Sequence, residues 1–138
     1  MSQTTITPEI AKLFQGKNFA SFATLMDDGS PHVAPVWVDL DGNTILINTA
    51  VGRVKEKNIR LDNRIALSIY DQENPYNMVS VRGKVTDLTE EGADEHIDKL
   101  AKKYFGVEKY PLRSPDEQRI ILKIKPEKIH HQQPPQQK

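Results

Sequence analysis

Cysteine is absent from these 138 residues, which excludes disulfides, thiolate metal sites and cysteine nucleophiles and fits a reducing, cytoplasmic setting. Charge of one sign is lacking too: 19 Lys and Arg face 19 Asp and Glu. No overall field draws such a chain to nucleic acid or to an anionic membrane, so any anion must be recognised locally. Aromatics make up only 7%, a poor supply for a surface that stacks single-stranded bases. No stretch approaches the ~20 apolar residues that span a bilayer, and the N-terminus has no signal-peptide run. Catalytic signatures are missing as well. No Gly-x-Ser-x-Gly elbow, Walker loop or Gly-x-Gly-x-x-Gly occurs, and neither His32 nor His96 has a metal-ligand partner at a useful spacing. With no evident nucleophile and no metal site, difficult chemistry falls to a bound cofactor.

What is present is a local concentration of positive charge. Between Arg53 and Arg64 stand five basic residues against two acidic ones, in a chain that otherwise balances. The preceding run Thr44-Ile-Leu-Ile-Asn48 has strand composition, Gly52 frees the backbone at a turn, and Arg53 to Asp62 has helical spacing. A strand-loop-helix junction presents unpaired N–H groups and the positive end of a helix dipole, which favour an anion and phosphate above all. Arg53, Lys55 and Lys57 crowd the first turns, where the dipole disfavours cations, so something negative should offset them. The competing reading is a solvated basic face carrying the Glu56/Arg60 pair. The expected apolar face of this helix is Val54, Leu61 and Ile65, with Asn58 a partly buried amide tying the helix to its surroundings.

The rest of the chain reads as a small β protein. Thr7-Pro8-Glu9 starts a helix whose buried stripe is Ile6, Ile10, Leu13 and Phe14. Strands follow at Phe19–Leu25 and His32–Asp39, joined through Asp27-Asp28-Gly29-Ser30, and Asp41-Gly42-Asn43 turns into the strand before the basic helix. Pro35 marks an edge or a bulge, and an edge beside Val36 and Trp37 leaves backbone groups free for a ligand. Further strands are expected at Arg64–Asp71, at Tyr76–Leu88 with a bend at Gly83, and at Gln118–Ile124. A helix over about Glu90 to Tyr104 buries Ala93, Ile97, Leu100, Ala101 and Tyr104. Residues 1–129 then form one domain, a six-stranded antiparallel barrel with helices over its ends, and 130–138 a disordered tail with little to bury.

The order of these pieces resembles the pyridoxamine 5'-phosphate oxidase-like split-barrel proteins that bind flavin or deazaflavin. The likeness runs through Ala23-Thr24-Leu25, Asp28-Gly29-Ser30-Pro31-His32-Val33-Ala34-Pro35-Val36-Trp37, Asn48-Thr49, Gly52-Arg53, Lys55 and Lys57-Asn58. It continues through Val81-Arg82-Gly83-Lys84-Val85, Lys102-Lys103-Tyr104, Tyr110-Pro111 and Arg119-Ile120-Ile121-Leu122. The length and the late Tyr-Pro segment look most like the short branch that uses coenzyme F420 rather than FMN. The resemblance implies a six-stranded split β-barrel of the FMN-binding type, a homodimer with two cofactor sites at the subunit interface. Asn48, Thr49, Arg53 and Lys55, with Lys57, would serve the phosphate end. Pro35, Val36 and Trp37 would lie against the ring, and Tyr76 would stand near the substrate side. It implies an F420-dependent oxidoreductase passing hydride from reduced deazaflavin to an unsaturated organic acceptor. An FMN enzyme of the same fold and a non-catalytic F420 carrier or sensor stand as alternatives.

Overall fold

The computed structural model describes residues 4–134. Along the chain come α1 (Pro8–Gln15), β1 (Ala20–Leu25), β2 (Pro31–Val36), β3 (Asp39–Asp41), β4 (Thr44–Ala50) and α2 (Val54–Leu61). Then follow β5 (Arg64–Tyr70), β6 (Met78–Thr89), α3 (Ala93–Phe105) and β7 (Arg119–Gln132). All strands join one antiparallel sheet in the order β2-β1-β5-β6-β7-β4-β3. Its two free edges, β2 and β3, are consecutive in the chain and linked only by Trp37 and Val38. The sheet therefore curls until its edges meet at that link, a barrel with a split.

Alternation fills the barrel. On β4 the buried positions include Ile45, Ile47 and Thr49, on β5 Ile65, Leu67 and Ile69, and on β6 Val79, Val81, Gly83 and Val85. Ile and Leu side chains buried this completely each contribute about 1.5–3 kcal/mol relative to exposure. The first helix behaves as its sequence predicts. Thr7 Oγ1 accepts from the Ile10 N–H at 3.3 Å, Pro8 occupies the first turn, and Ile10, Leu13 and Phe14 are buried. The bend at Gly83 is also present. The β6–β7 register shifts between Arg82 and Gly83, and a Cβ on Gly83 would stand 2.3 Å from the Lys125 carbonyl oxygen. A side chain cannot fit where the strands approach that closely.

Three expectations need correction. The sheet has seven strands, because the run expected as one strand over His32–Asp39 breaks after Val36 and resumes as β3. Pro35 does lie on an edge strand, opposite Ser21. The expected apolar face of α2 is wrong: Val54 is 45% and Leu61 71% exposed, while Glu56, Asn58 and Ile59 are buried. Glu56 and Asn58 can be buried because each has its hydrogen-bond partners, Gly52 N–H and Arg60 for Glu56 and the buried Thr24 for Asn58, so hydrogen bonds replace apolar contact on that face. The tail boundary at 130 is also wrong. His130, His131 and Gln132 belong to β7, paired with Ser80, Val79 and Met78, and His131 Nε2 lies 2.8 Å from Asn77 Oδ1. Residues with nothing apolar to bury are ordered there by a backbone ladder along the long β6. The remainder of the expected tail, from 135, lies outside the described residues.

Candidate functional site

The junction of β4 and α2 is built by its own backbone. Val51 N–H donates to the Gln118 carbonyl at 2.9 Å, tying the loop to the start of β7, and Gly52 turns the chain with φ of 93°. Gly52 N–H donates to Glu56 Oε1 at 2.6 Å, and Arg60 pairs with the other Glu56 oxygen. The Gly52 N–H and then Arg60 hold the Glu56 carboxyl below its ordinary range against the opposing effect of burial. Asn58 Nδ2 donates to Thr24 Oγ1 at 2.9 Å and contacts Met26 Sδ at 3.4 Å, the tie to a neighbouring strand that its spacing suggested. Arg53 is the N-cap and makes no side-chain capping bond. The helix ladder opens with Lys57 N–H to the Arg53 carbonyl, and Arg53 N–H turns back to the Ala50 carbonyl at 3.3 Å, so among the described residues the amides of Val54, Lys55 and Glu56 are left to solvent or a ligand.

These internal pairings sort the basic residues. Arg60 is committed to Glu56, Arg64 to Asp62 at 2.6 Å, and Lys57 is exposed. Lys55 is half-buried and has no hydrogen bond or ion pair among the described residues. Burial first, then the charges of Arg53 and Arg119, push its ammonium below the usual lysine value. Arg53 and Arg119 share one carboxylate oxygen, Glu117 Oε1, at 2.8 and 2.6 Å. Three cations against one carboxylate leave a surplus of two positive charges at a half-enclosed place, a match for a phosphate group.

That cluster forms one end of a cavity of about 250 Å³ at the split of the barrel. The opposite wall is apolar: Pro35, Val36 and Trp37 from the free edge, Ile97 from α3, Tyr110 and Leu112 from the α3–β7 loop. The Trp37 ring lies parallel to Tyr104 at 5.1 Å and meets Phe105 and Tyr110 edge-on at 4.8 and 6.0 Å. Tyr104 is fixed from behind. Its hydroxyl donates to the Asn18 carbonyl at 2.7 Å and accepts from Val38 N–H at 3.2 Å, and burial raises its pKa to about 12. Lys103 Nζ donates to the carbonyls of Phe14 and Val38 at 2.6 and 2.9 Å, and burial brings its pKa down to about 8. A larger hollow of about 450 Å³ lies elsewhere, among Ala23, Leu25, Ile65 and Ala66 with Arg64, Arg82, Lys84 and Lys128. It has no aromatic wall, so the smaller cavity is the better ligand site.

Of the residues singled out from the sequence, Pro35, Val36, Trp37, Asn48, Arg53 and Lys55 line this cavity, and Thr49, Lys57 and Tyr76 do not. Thr49 faces the barrel interior, and its buried Oγ1 has no partner among the described residues. Tyr76 stands 64% exposed on the β5–β6 loop. Arg119, Tyr110 and Glu117 complete the site without having been expected there. Arg119 opens β7 opposite Ala50, a register that brings it beside the β4–α2 loop and that the sequence does not show, and a strand arginine is more often a surface charge. Among the described residues no group of three or more His, Asp or Glu is placed to hold a metal.

The model of the family described as pyridoxamine 5'-phosphate oxidase matches residues 6–133. The chain belongs to that family. Pyridoxamine 5'-phosphate oxidase-like proteins bind flavin-type cofactors such as FMN, and the family contains oxidoreductases. Among solved structures, one described as an F420 reductase superposes with a TM-score of 0.76 at 26% identity, covering 86% of this chain and 94% of that one. HupZ of Group A Streptococcus gives 0.68 at 23% identity, covering 92% and 94%. General Stress Protein 26 of Bacillus anthracis gives 0.66 at 18%, covering 90% and 91%. The last two likenesses concern the fold. Among curated proteins no sequence matches the chain. No helix among the described residues is long and apolar enough to cross a membrane.

Proposed function

We propose that this pyridoxamine 5'-phosphate oxidase-like protein is an F420-dependent oxidoreductase acting on an unsaturated organic acceptor. The observation that carries the reading is Lys55, half-buried beside Arg53 and Arg119 at the mouth of an aromatic-walled cavity and without a counter-ion among the described residues. Lys55, Arg53 and Arg119 would hold the cofactor's phosphate, with the first amides of α2 adding N–H donors. Pro35, Val36 and Trp37 would carry the ring. The bound deazaflavin supplies the hydride, and the protein orients it and excludes water. The F420 reductase among the structural neighbours favours this cofactor, while the family as a whole keeps FMN as the second reading, because the same cations suit its phosphate.

A cavity of about 250 Å³ lies below the roughly 300–1,000 Å³ usual for small-molecule sites, so a second copy of the chain would supply the missing wall. The exposed Tyr76 would reach the site from that copy.

The test is a titration of F420 and, separately, FMN into wild type and variants. Lys55→Ala and Arg53→Ala each remove a charge-assisted contact worth about 1.5–3 kcal/mol, tenfold or more in affinity. Lys12→Ala, on the exposed side of α1, should bind as wild type. Equal affinity in all four proteins would remove the phosphate site. Tight FMN binding without F420 binding would shift the reading to an FMN enzyme, and F420 binding without turnover of any acceptor to a carrier.

A further inference from the structure

We propose that His96, which does not reach the cavity wall, positions Arg119 through Asn48. The consequence for ligands rests on the anion site proposed above; the geometry does not. Asn48 Oδ1 accepts from Arg119 Nε at 2.8 Å, and Asn48 Nδ2 donates to the Ala93 carbonyl at 2.8 Å. A guanidinium can only donate and a carbonyl can only accept, so the Asn48 amide has one orientation. Its second Nδ2 hydrogen then meets His96 Nδ1, 3.1 Å away, which must accept it. The imidazole hydrogen therefore sits on Nε2 and is donated to Asp39 Oδ2 at 3.0 Å. Asp39 is anchored in turn by Leu40 N–H at 2.8 Å and Lys99 Nζ at 3.2 Å. Against the cost of burial, the bonds from His96, Leu40 and Lys99 keep its carboxyl well below the ordinary range.

Every hydrogen-bonding atom in the line from Asp39 to Arg119 thus has one assigned role, donor or acceptor. The line ends on an arginine whose side chain is 3% exposed. Arg119 gives Nε to Asn48 and Nη1 to Glu117, and lies over the Tyr110 ring at 5.3 Å. Its Nη2 has no partner among the described residues, and the residue lines the cavity. The network leaves one prong of a rigid guanidinium for a ligand oxygen. His96 is a positioning residue: without its acceptor nitrogen, Asn48 keeps one Nδ2 partner instead of two and can swing, taking the hold on Arg119 Nε with it.

The experiment compares His96→Gln with His96→Leu. Gln can place an amide oxygen toward Asn48 and an N–H toward Asp39, reproducing both links, whereas Leu reproduces neither. In wild type, long-range ¹⁵N–¹H spectra should find the His96 hydrogen on Nε2, and the Arg119 Nε–H should give a signal protected from solvent exchange. That signal should persist in His96→Gln and be lost in His96→Leu. FMN and inorganic phosphate should bind His96→Gln within about twofold of wild type and His96→Leu about tenfold more weakly. A hydrogen on Nδ1, an unchanged Arg119 signal in His96→Leu, or equal losses in both variants would overturn the proposal. If wild type binds neither FMN nor phosphate, the anion site fails while the two ligand-free spectra still decide the role of His96.

Discussion

Lys103 shows how one residue can report on the packing behind the site. Its ammonium is spent on the carbonyls of Phe14 and Val38, and burial lowers its pKa from the ordinary 10.5 to about 8. Between those values the unfolded chain holds a proton that the folded chain has released, so stability should rise with pH from about 8 to about 10.5. Below that window both states are protonated and the contribution is flat. Linkage limits the rise to about 3 kcal/mol, and partial exposure reduces it to roughly half. Urea unfolding at steps between pH 7 and 10.5 should show a rising midpoint in wild type and a much flatter one in Lys103→Met. A falling wild-type midpoint across the window would contradict the burial argument. At this scale the sequence was readable where chemistry is local. Arg53 and Lys55 stand at a helix start where cations are out of place, but Arg119 and Glu117 arrive through register and loop closure, which composition does not encode.

Among the elements, β6 and β7 carry the clearest constraint. Gly83→Ala would put a Cβ 2.3 Å from the Lys125 carbonyl oxygen and 3.3 Å from Pro126 Cα, both backbone atoms that cannot turn aside. The strands would have to part, at a cost of about 1–3 kcal/mol or more, read as a lower melting temperature. Melting within a degree of wild type would mean the bulge absorbs the methyl group. The end of β7 gives a second check. A chain ending at Ile129 loses the pairs of His130, His131 and Gln132 with β6, whereas one ending at Pro134 keeps them. The shorter form should be less stable by about 1–3 kcal/mol at the net worth of a few backbone hydrogen bonds. Equal stability would restore the boundary at 130. Strands, turns and the helices α1 and α3 were legible because their side chains alternate or repeat against an apolar core. The face of α2 and the end of β7 were not, because hydrogen bonds order them and an apolar-periodicity reading looks for hydrocarbon.

For the whole molecule, the split barrel bears on the proposed second copy of the chain. The free edges at β2 and β3 open the cavity beside Trp37, and the cavity that one chain forms, about 250 Å³, lies below the roughly 300–1,000 Å³ usual for small-molecule sites. The outer sheet face meanwhile leaves an apolar hollow of about 450 Å³ around Ala23, Leu25, Ile65 and Ala66. Tyr76 offers a third sign: an aromatic side chain held out from the β5–β6 loop, away from its own chain's cavity. A two-fold pair would bring one protomer's loop to its partner's site and cover apolar surface in the same step. Sedimentation equilibrium at micromolar protein should then give twice 15.7 kDa. Tyr76→Ala should leave that mass unchanged while weakening FMN or F420 severalfold, the effect of trimming one aromatic contact of about 1 kcal/mol. A monomer with full cofactor affinity, or a Tyr76→Ala dimer that binds as wild type, would show that each chain completes its site alone.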